Sequence, residues 1–291
     1  MANYIAYRLA SAVSRHLPKP TAYWVGLRIA DFFYFFHRAK REAVRDNLSC
    51  VLEYRGVRQT PCALRGLTRK TFQNFGKYLV DFFRFTRVER SALEKMISIE
   101  RLDHLEKACR AGRGAIIVTA HFGNWELGGA MLRALGYQVN AVVAPARRPR
   151  LQDFLQKPRE ERGLRTVTIG SSIRVLLRAL RQGELVALLA DRDFSGERER
   201  LSLFGKSVRL PRGAAWLALR AHAPIVPAFL VRQEDDTFLL RFHPPIVPDA
   251  ASGEQELMSR IRDAMEREVG ERPSQWFVFH RFWEAEPGLT E

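Results

Sequence analysis

From Gly114 onward, short β-prone runs alternate with segments of helical periodicity, and this alternation restricts the fold more than any other feature of the chain. The runs are Ala115 to Thr119, Val139 to Val143, Thr166 to Ile169, Leu185 to Ala190, Ile225 to Val231 and Phe238 to Phe242. Strand-length apolar runs with helices between them predict an α/β fold, a mixed central sheet flanked by helices. Residues 1 to about 110 have a different texture. Apolar residues recur there at helical spacing, and Gly and Pro are confined to breaks such as Pro18 to Pro20 and Gly56 to Pro61. Within this part Phe72, Phe75, Leu79, Phe82 and Phe83 form an aromatic stripe expected to be core rather than the lining of a groove. The expected organisation is a helical part over residues 1–110 and an α/β part over 111–291, joined as one continuous domain, with no internal repeat or long linker.

The chain has 291 residues and carries 47 Lys plus Arg against 32 Asp plus Glu, a formal net charge of +15. Such an excess implies anionic partners: nucleic acid, lipid headgroups or an acidic protein. Between Ala22 and Phe36 lies an aromatic, apolar segment that contains Arg28 and Asp31 and is shorter than the ~20 residues of a spanning helix. With Arg38, Lys40, Arg41 and Arg45 beside it, the segment suits an interfacial helix that associates with a membrane without crossing it; a core helix with a solvated basic end is the other reading. No uninterrupted apolar core follows a basic start, so a cleavable signal peptide is not expected. Cys50, Cys62 and Cys109 have no CxxC spacing, which fits a reduced compartment.

The sharpest local feature is Ala120-His121-Phe122-Gly123-Asn124-Trp125-Glu126, directly after Ile116-Ile117-Val118. Five residues apart in one helix, His121 and Glu126 would be rotated by roughly 140° and share no face. A turn is therefore expected, with Gly123 supplying the unusual backbone angles and Asn124 capping a helix that begins near Trp125. Glu126 then returns toward His121. An imidazole can take a proton from a hydroxyl while a carboxylate fixes its tautomer, so the pair is a candidate acid/base dyad.

These residues resemble the lipid A biosynthesis acyltransferases, the late lauroyl and myristoyl transferases of the lysophospholipid acyltransferase-like superfamily. Their hallmark, His-x4-Asp/Glu, is commonly written His-Phe-Gly-Asn-Trp-Glu and stands intact here at 121–126. The likeness continues through Arg159-Glu-Glu-Arg-Gly163, Leu189-Ala-Asp-Arg-Asp193, Phe204-Gly205, Ala223-Pro-Ile-Val-Pro227, Pro273-Ser-Gln-Trp276 and His280-Arg281-Phe282-Trp283. The resemblance implies transfer of a fatty acyl group from an acyl carrier protein or coenzyme A thioester to a hydroxyl of a membrane glycolipid, a lipid A precursor first. Work at the cytoplasmic face of the bacterial inner membrane is implied too. By the same resemblance His121 matches the general base, Glu126 its partner, Arg159 a site arginine and Asp191 an acidic residue at a following strand end. Family members often have Asp-Gln or Asp-His where this chain has Asp191-Arg192, and Arg192 either meets a phosphate or is a solvated neighbour. Related acyltransferases that use phospholipids or mannosylated phosphoinositides share the His-x4-Asp/Glu pattern, so the motif names the chemistry and leaves the acceptor open.

A thioester is already activated, so one base and a donor for the oxyanion, Arg159 or backbone N–H groups near Gly123, suffice without a cofactor or covalent intermediate. Other classes fit poorly. No Gly-x-Ser-x-Gly elbow occurs, since Gly170-Ser171-Ser172-Ile173 lacks the second glycine. Phe204-Gly205-Lys206-Ser207 ends like a phosphate loop, but Arg200 stands at its earlier glycine. No His-Glu-x-x-His is present, His222 and His243 read as structural, and no metal is expected. Nor does any nucleic-acid-binding signature accompany the charge.

Overall fold

The computed structural model describes residues 11–12, 14–85, 89–145, 149–170, 173–192, 198–249 and 252–283. Its centre is a seven-stranded sheet in the order β1-β9-β8-β2-β5-β3-β4. The strands are β1 (Ile97–Glu100), β2 (Ala115–Thr119), β3 (Val139–Val143), β4 (Arg165–Thr168), β5 (Leu185–Leu189), β8 (Ile225–Arg232) and β9 (Phe238–Phe242). All neighbours run parallel except β8 and β9, which are antiparallel, so the sheet is mixed. The two remaining strands, β6 (Arg198–Leu203) and β7 (Lys206–Pro211), form a separate antiparallel hairpin.

The α/β fold with flanking helices is as the alternation predicts. β2, β3 and β9 match their expected bounds, and β4, β5 and β8 differ by single residues. Three strands have no counterpart among the expected runs. β1 and the hairpin strands are short or charge-rich (Ile-Ser-Ile-Glu; Arg-Glu-Arg-Leu-Ser-Leu) and lack a clear apolar run. β1 falls inside the helical first 110 residues and pairs with β9, Ile97 opposite Phe238.

Three long helices precede the sheet: α1 (Lys19–Phe36), α2 (Arg38–Tyr54) and α3 (Pro61–Arg84). α1 crosses α3 at Gly26 and Gly76, where a side chain on Gly76 would approach the Gly26 carbonyl oxygen to 2.8 Å. Small residues at that crossing let the backbones touch, and Asp31 ties the pair by accepting bonds from Arg69 and Gln73. Of the aromatic stripe of α3 expected to be core, Phe72, Phe82 and Phe83 are buried, and Phe75 and Leu79 are half-buried. The opposite side of α1 is open, with Trp24, Phe32, Phe35 and Phe36 more than half exposed. Among the described residues no helix is long and apolar enough to cross a membrane.

The sheet buries both faces, which is why its central strands read as continuous apolar runs rather than alternating ones. On one face pack α4 (Arg90–Met96), α5 (Leu102–Cys109) and α6 (Trp125–Ala134). On the other pack α8 (Ile173–Arg181), α9 (Gly213–Ala221) and α10 (Glu254–Glu271). α7 (Pro149–Glu161) leads into β4. In open sheets of this kind ligand sites form at the carboxyl ends of the strands. His121, two residues beyond β2, and Asp191, two beyond β5, both stand there on adjacent strands.

Candidate active site

The turn after β2 is built around Gly123. Its φ is +61°, and a Cβ there would overlap the Leu230 carbonyl oxygen, so only glycine fits. Asn124 follows as the N-cap of α6: its Oδ1 accepts from the Leu127 N–H at 3.2 Å, the cap expected from the sequence. The Gly123 and Asn124 N–H groups donate to the Gln275 and Leu230 carbonyls. They are spent on holding the turn, and the expected backbone oxyanion donors near Gly123 are therefore engaged elsewhere.

His121 is gripped by Asp191. The imidazole Nδ1 lies 2.8 Å from Asp191 Oδ1, and the His121 backbone N–H donates to Oδ2 at 3.0 Å. Trp276 Nε1 donates to that same Oδ2 at 3.0 Å, and the Phe277 N–H holds the His121 carbonyl. Burial opposes ionisation of Asp191, yet the charge and hydrogen bonds of His121, aided by Arg192, hold its carboxyl down at about 2. An ionised carboxylate only accepts, so Nδ1 carries a proton, and Nε2 is the nitrogen that can act as a base whenever the ring is neutral. The Trp125 ring meets the imidazole edge to face at 5.1 Å and stacks on Tyr78 of α3 at 4.3 Å.

Glu126 does not make the expected bond to the imidazole. That position belongs to Asp191. Glu126 is buried, and Arg159 grips it with Nε and Nη2 at 2.9 and 2.6 Å from Oε1, while Arg162 Nη1 stands 3.8 Å from Oε2. Burial opposes its charge, but the two guanidinium groups outweigh burial and keep the carboxyl below its ordinary range. The reason for the difference is directional: Glu126 is the second residue of α6, and its side chain meets α7, where Arg159 and nearby Arg162 offer more charge than a neutral imidazole. All the same, His121, Glu126, Arg159 and Arg192 border one cavity of about 270 Å³.

The body of that cavity is apolar and lies between the sheet and α6. Ile117, Ala141, Ala187 and Leu230 line it from the strands, and Gly128 and Gly129 line it from the helix. Each glycine inside a helix costs about 1 kcal/mol relative to alanine; both border the cavity here, where a Cβ at Gly128 would touch Leu230 at 3.6 Å and one at Gly129 would press on Leu164 at 3.3 Å. Arg192 borders the mouth and donates from Nη2 to the Phe277 carbonyl at 3.0 Å; among the described residues its Nε has no hydrogen-bond partner.

One site component escaped the sequence. Asp81, in the aromatic stripe of α3, is fully buried and accepts from Asn124 Nδ2 at 3.1 Å, from Tyr23 Oη at 2.6 Å and from Arg232. This network orients the Asn124 amide so that its oxygen faces the helix. A carboxylate between Val80 and Phe82, at core spacing, was the available signal, as was Gln275 in the Pro273-Ser-Gln-Trp276 segment.

The hexapeptide thus forms a site of defined geometry, and comparison with known proteins gives its lineage. A family model described as bacterial lipid A biosynthesis acyltransferase matches residues 3–285. The chain belongs to that family. The resemblance carried by the motifs is correct, and membership makes the protein an acyltransferase. It is 26% identical over 226 residues to the phosphatidylinositol mannoside acyltransferase of Mycolicibacterium smegmatis, covering 76% of this chain and 73% of that protein. To the lipid A biosynthesis palmitoleoyltransferase of Escherichia coli K12 it is 23% identical over 273 residues, covering 93% and 87%. To the lauroyltransferase of the same organism it is 21% identical over 277 residues, covering 93% and 88%.

Elsewhere, His243 bonds Glu268 at 2.8 Å in the core and His222 ends α9 in a left-handed conformation, both structural positions. Among the described residues no group of three or more His, Cys, Asp or Glu could hold a metal ion. Ser171, Ser172, Arg147, Arg148 and Asp193 lie outside the described residues.

Proposed function

We propose that this acyltransferase moves a fatty acyl group from an acyl thioester, carried by an acyl carrier protein or coenzyme A, to a hydroxyl of a membrane glycolipid. The observation that carries this is an imidazole whose Nδ1 is pinned by a buried carboxylate, placed at the mouth of an apolar cavity. The acyl chain enters the slot beside Gly128 and Gly129 and brings its carbonyl to the mouth. There His121 Nε2 takes the proton of the acceptor hydroxyl as its oxygen bonds the thioester carbon. The C–S bond then breaks, and the imidazolium returns the proton to the departing thiolate. Asp191 stabilises the imidazolium, and Arg159 and Arg192 face the negative charge that develops on the carbonyl oxygen. Glu126 sets the orientation of Arg159.

The reaction takes place at a bilayer surface, which we infer to be the cytoplasmic face of the inner membrane. The exposed aromatic side of α1 would enter the headgroup region, and the cations that follow it would meet lipid phosphate. A lipid A precursor is the first candidate acceptor. A mannosylated phosphoinositide is the second, favoured by the 26% identity to the mycobacterial relative. Thioester release measured over a panel of lipid acceptors tests the function: we expect release only with a phosphorylated glycolipid. Equal release with water alone would make the protein a thioesterase and overturn it.

A further inference from the structure

Helix α8 presents an unbalanced face. Leu176, Ala179 and Leu180 anchor it to the sheet, and the side turned outward carries Arg174, Arg178 and Arg181 with Ile173 and Val175, the last two 43% and 47% exposed. The arginines fall at i, i+4 and i+7, a single row about 10 Å long. No acidic residue lies on the helix, and among the described residues none of the three guanidinium groups is paired. Some other surface arginines, such as Arg38, Arg90 and Arg262, each bond a neighbouring carboxylate. Exposed Arg220 on the adjoining α9 adds a fourth cation, and the nearest acid in the chain, Glu184, is taken by Arg165 and Asn140.

The position of this row relates it to the site. α8 connects β4 to β5 and so runs back along the sheet, with its first turn at the carboxyl ends of the strands. Ile169, four residues before α8, borders the cavity, and β5, which α8 feeds, leads to Asp191 and Arg192. Arg174 stands in that first turn, and the row runs from there back along the sheet, on the face opposite α6.

We propose that the outer face of α8 is the docking surface for an acidic acyl carrier protein, whose carboxylates pair with Arg174, Arg178 and Arg181, with Ile173 and Val175 flanking the row on either side. This deepens the thioester-transfer function and rests on it. An acidic protein suits the face better than a bilayer does. The face has two aliphatic side chains and no aromatic, whereas the aromatic surface suited to lipid is on α1, which packs on α3. Complementary charge of this type steers encounter and is weakened by salt.

The test uses the full chain and the variant R174E/R178E/R181E, each supplied with one acyl group on two donors, the carrier protein and free pantetheine. We expect the variant to lose at least tenfold in kcat/KM for the carrier donor, mainly through KM, with the pantetheine thioester used as well as by the wild type. Added salt should raise the wild-type KM for the carrier and leave the variant's unchanged. Unaltered carrier kinetics in the variant would overturn the proposal, as would equal loss with both donors, or a wild type that uses pantetheine thioester but not the carrier. A variant that keeps its carrier kinetics and loses only binding to anionic vesicles would reassign the face to the membrane. If the wild type turns over neither donor, the thioester function itself fails, and this surface with it.

Discussion

At the residue scale the site divides its carboxylates between two tasks. Asp191 faces the imidazole that the proposed mechanism charges, and Glu126 faces guanidinium groups that are charged throughout. The substitution Glu126→Gln leaves buried Arg162 and half-buried Arg159 without their anion, which should cost about 3 kcal/mol in denaturant unfolding. A Glu126→Gln variant of wild-type stability and no activity would instead give Glu126 a chemical role. Asp191 has an acid signature. Its carboxyl is depressed from 3.8 to about 2 in the folded state, so its stabilisation is complete above pH 4 and fades as pH falls toward 2. The amount is about 2 kcal/mol, and the stability advantage of wild type over Asp191→Asn should shrink by that much between pH 5 and pH 2 in urea titrations. His121, Gly123, Asn124 and the Trp125 helix start were legible because a strand, a glycine and a cap leave local marks. The imidazole's partner was not. Asp191 lies 70 residues away, and its approach is set by the pairing of β2 with β5, which no local pattern encodes.

At the element scale α6 determines what the cavity can hold. Gly128 faces Leu230 across the slot, and a side-chain carbon added at Gly128 would lie 3.6 Å from the Leu230 Cβ, an ordinary contact distance. A leucine there would occupy the slot, and since each buried methylene is worth about 0.8 kcal/mol, Gly128→Leu should shift the preference toward shorter acyl donors by roughly fourfold for each methylene displaced. Competition between two thioesters of different length measures it, and an unchanged preference would place the chain elsewhere. The crossing of α1 and α3 is less tolerant, because the Gly76 backbone touches Gly26 with no intervening side chain. Strands rich in Val, Ile and Leu were readable from composition. β1 and the β6–β7 hairpin were not, because their polar residues are accommodated at a sheet edge and outside the main sheet.

At the scale of the whole molecule, the proposed membrane contact rests on the formal charge of +15 and the open aromatic side of α1. Phe32 and Phe36 are exposed, their rings 4.4 Å apart, so their replacement by serine should leave folding intact. Burying one such side chain contributes about 1.5–3 kcal/mol, and the double variant should lose more than tenfold in partitioning to anionic vesicles by sedimentation. Undiminished binding would assign membrane contact to another surface. The excess of basic residues was legible from composition alone, but its arrangement depended on which arginines found acids in the folded chain.

The most direct measurement is acyl transfer by His121→Ala and Asp191→Asn against wild type, with folding checked by thermal unfolding. The geometry predicts losses of about 10²-fold or more in kcat for each, because the first lacks the base and the second no longer fixes which nitrogen is free. An Asp191→Asn enzyme that turns over at the wild-type rate would contradict the pairing on which the mechanism stands.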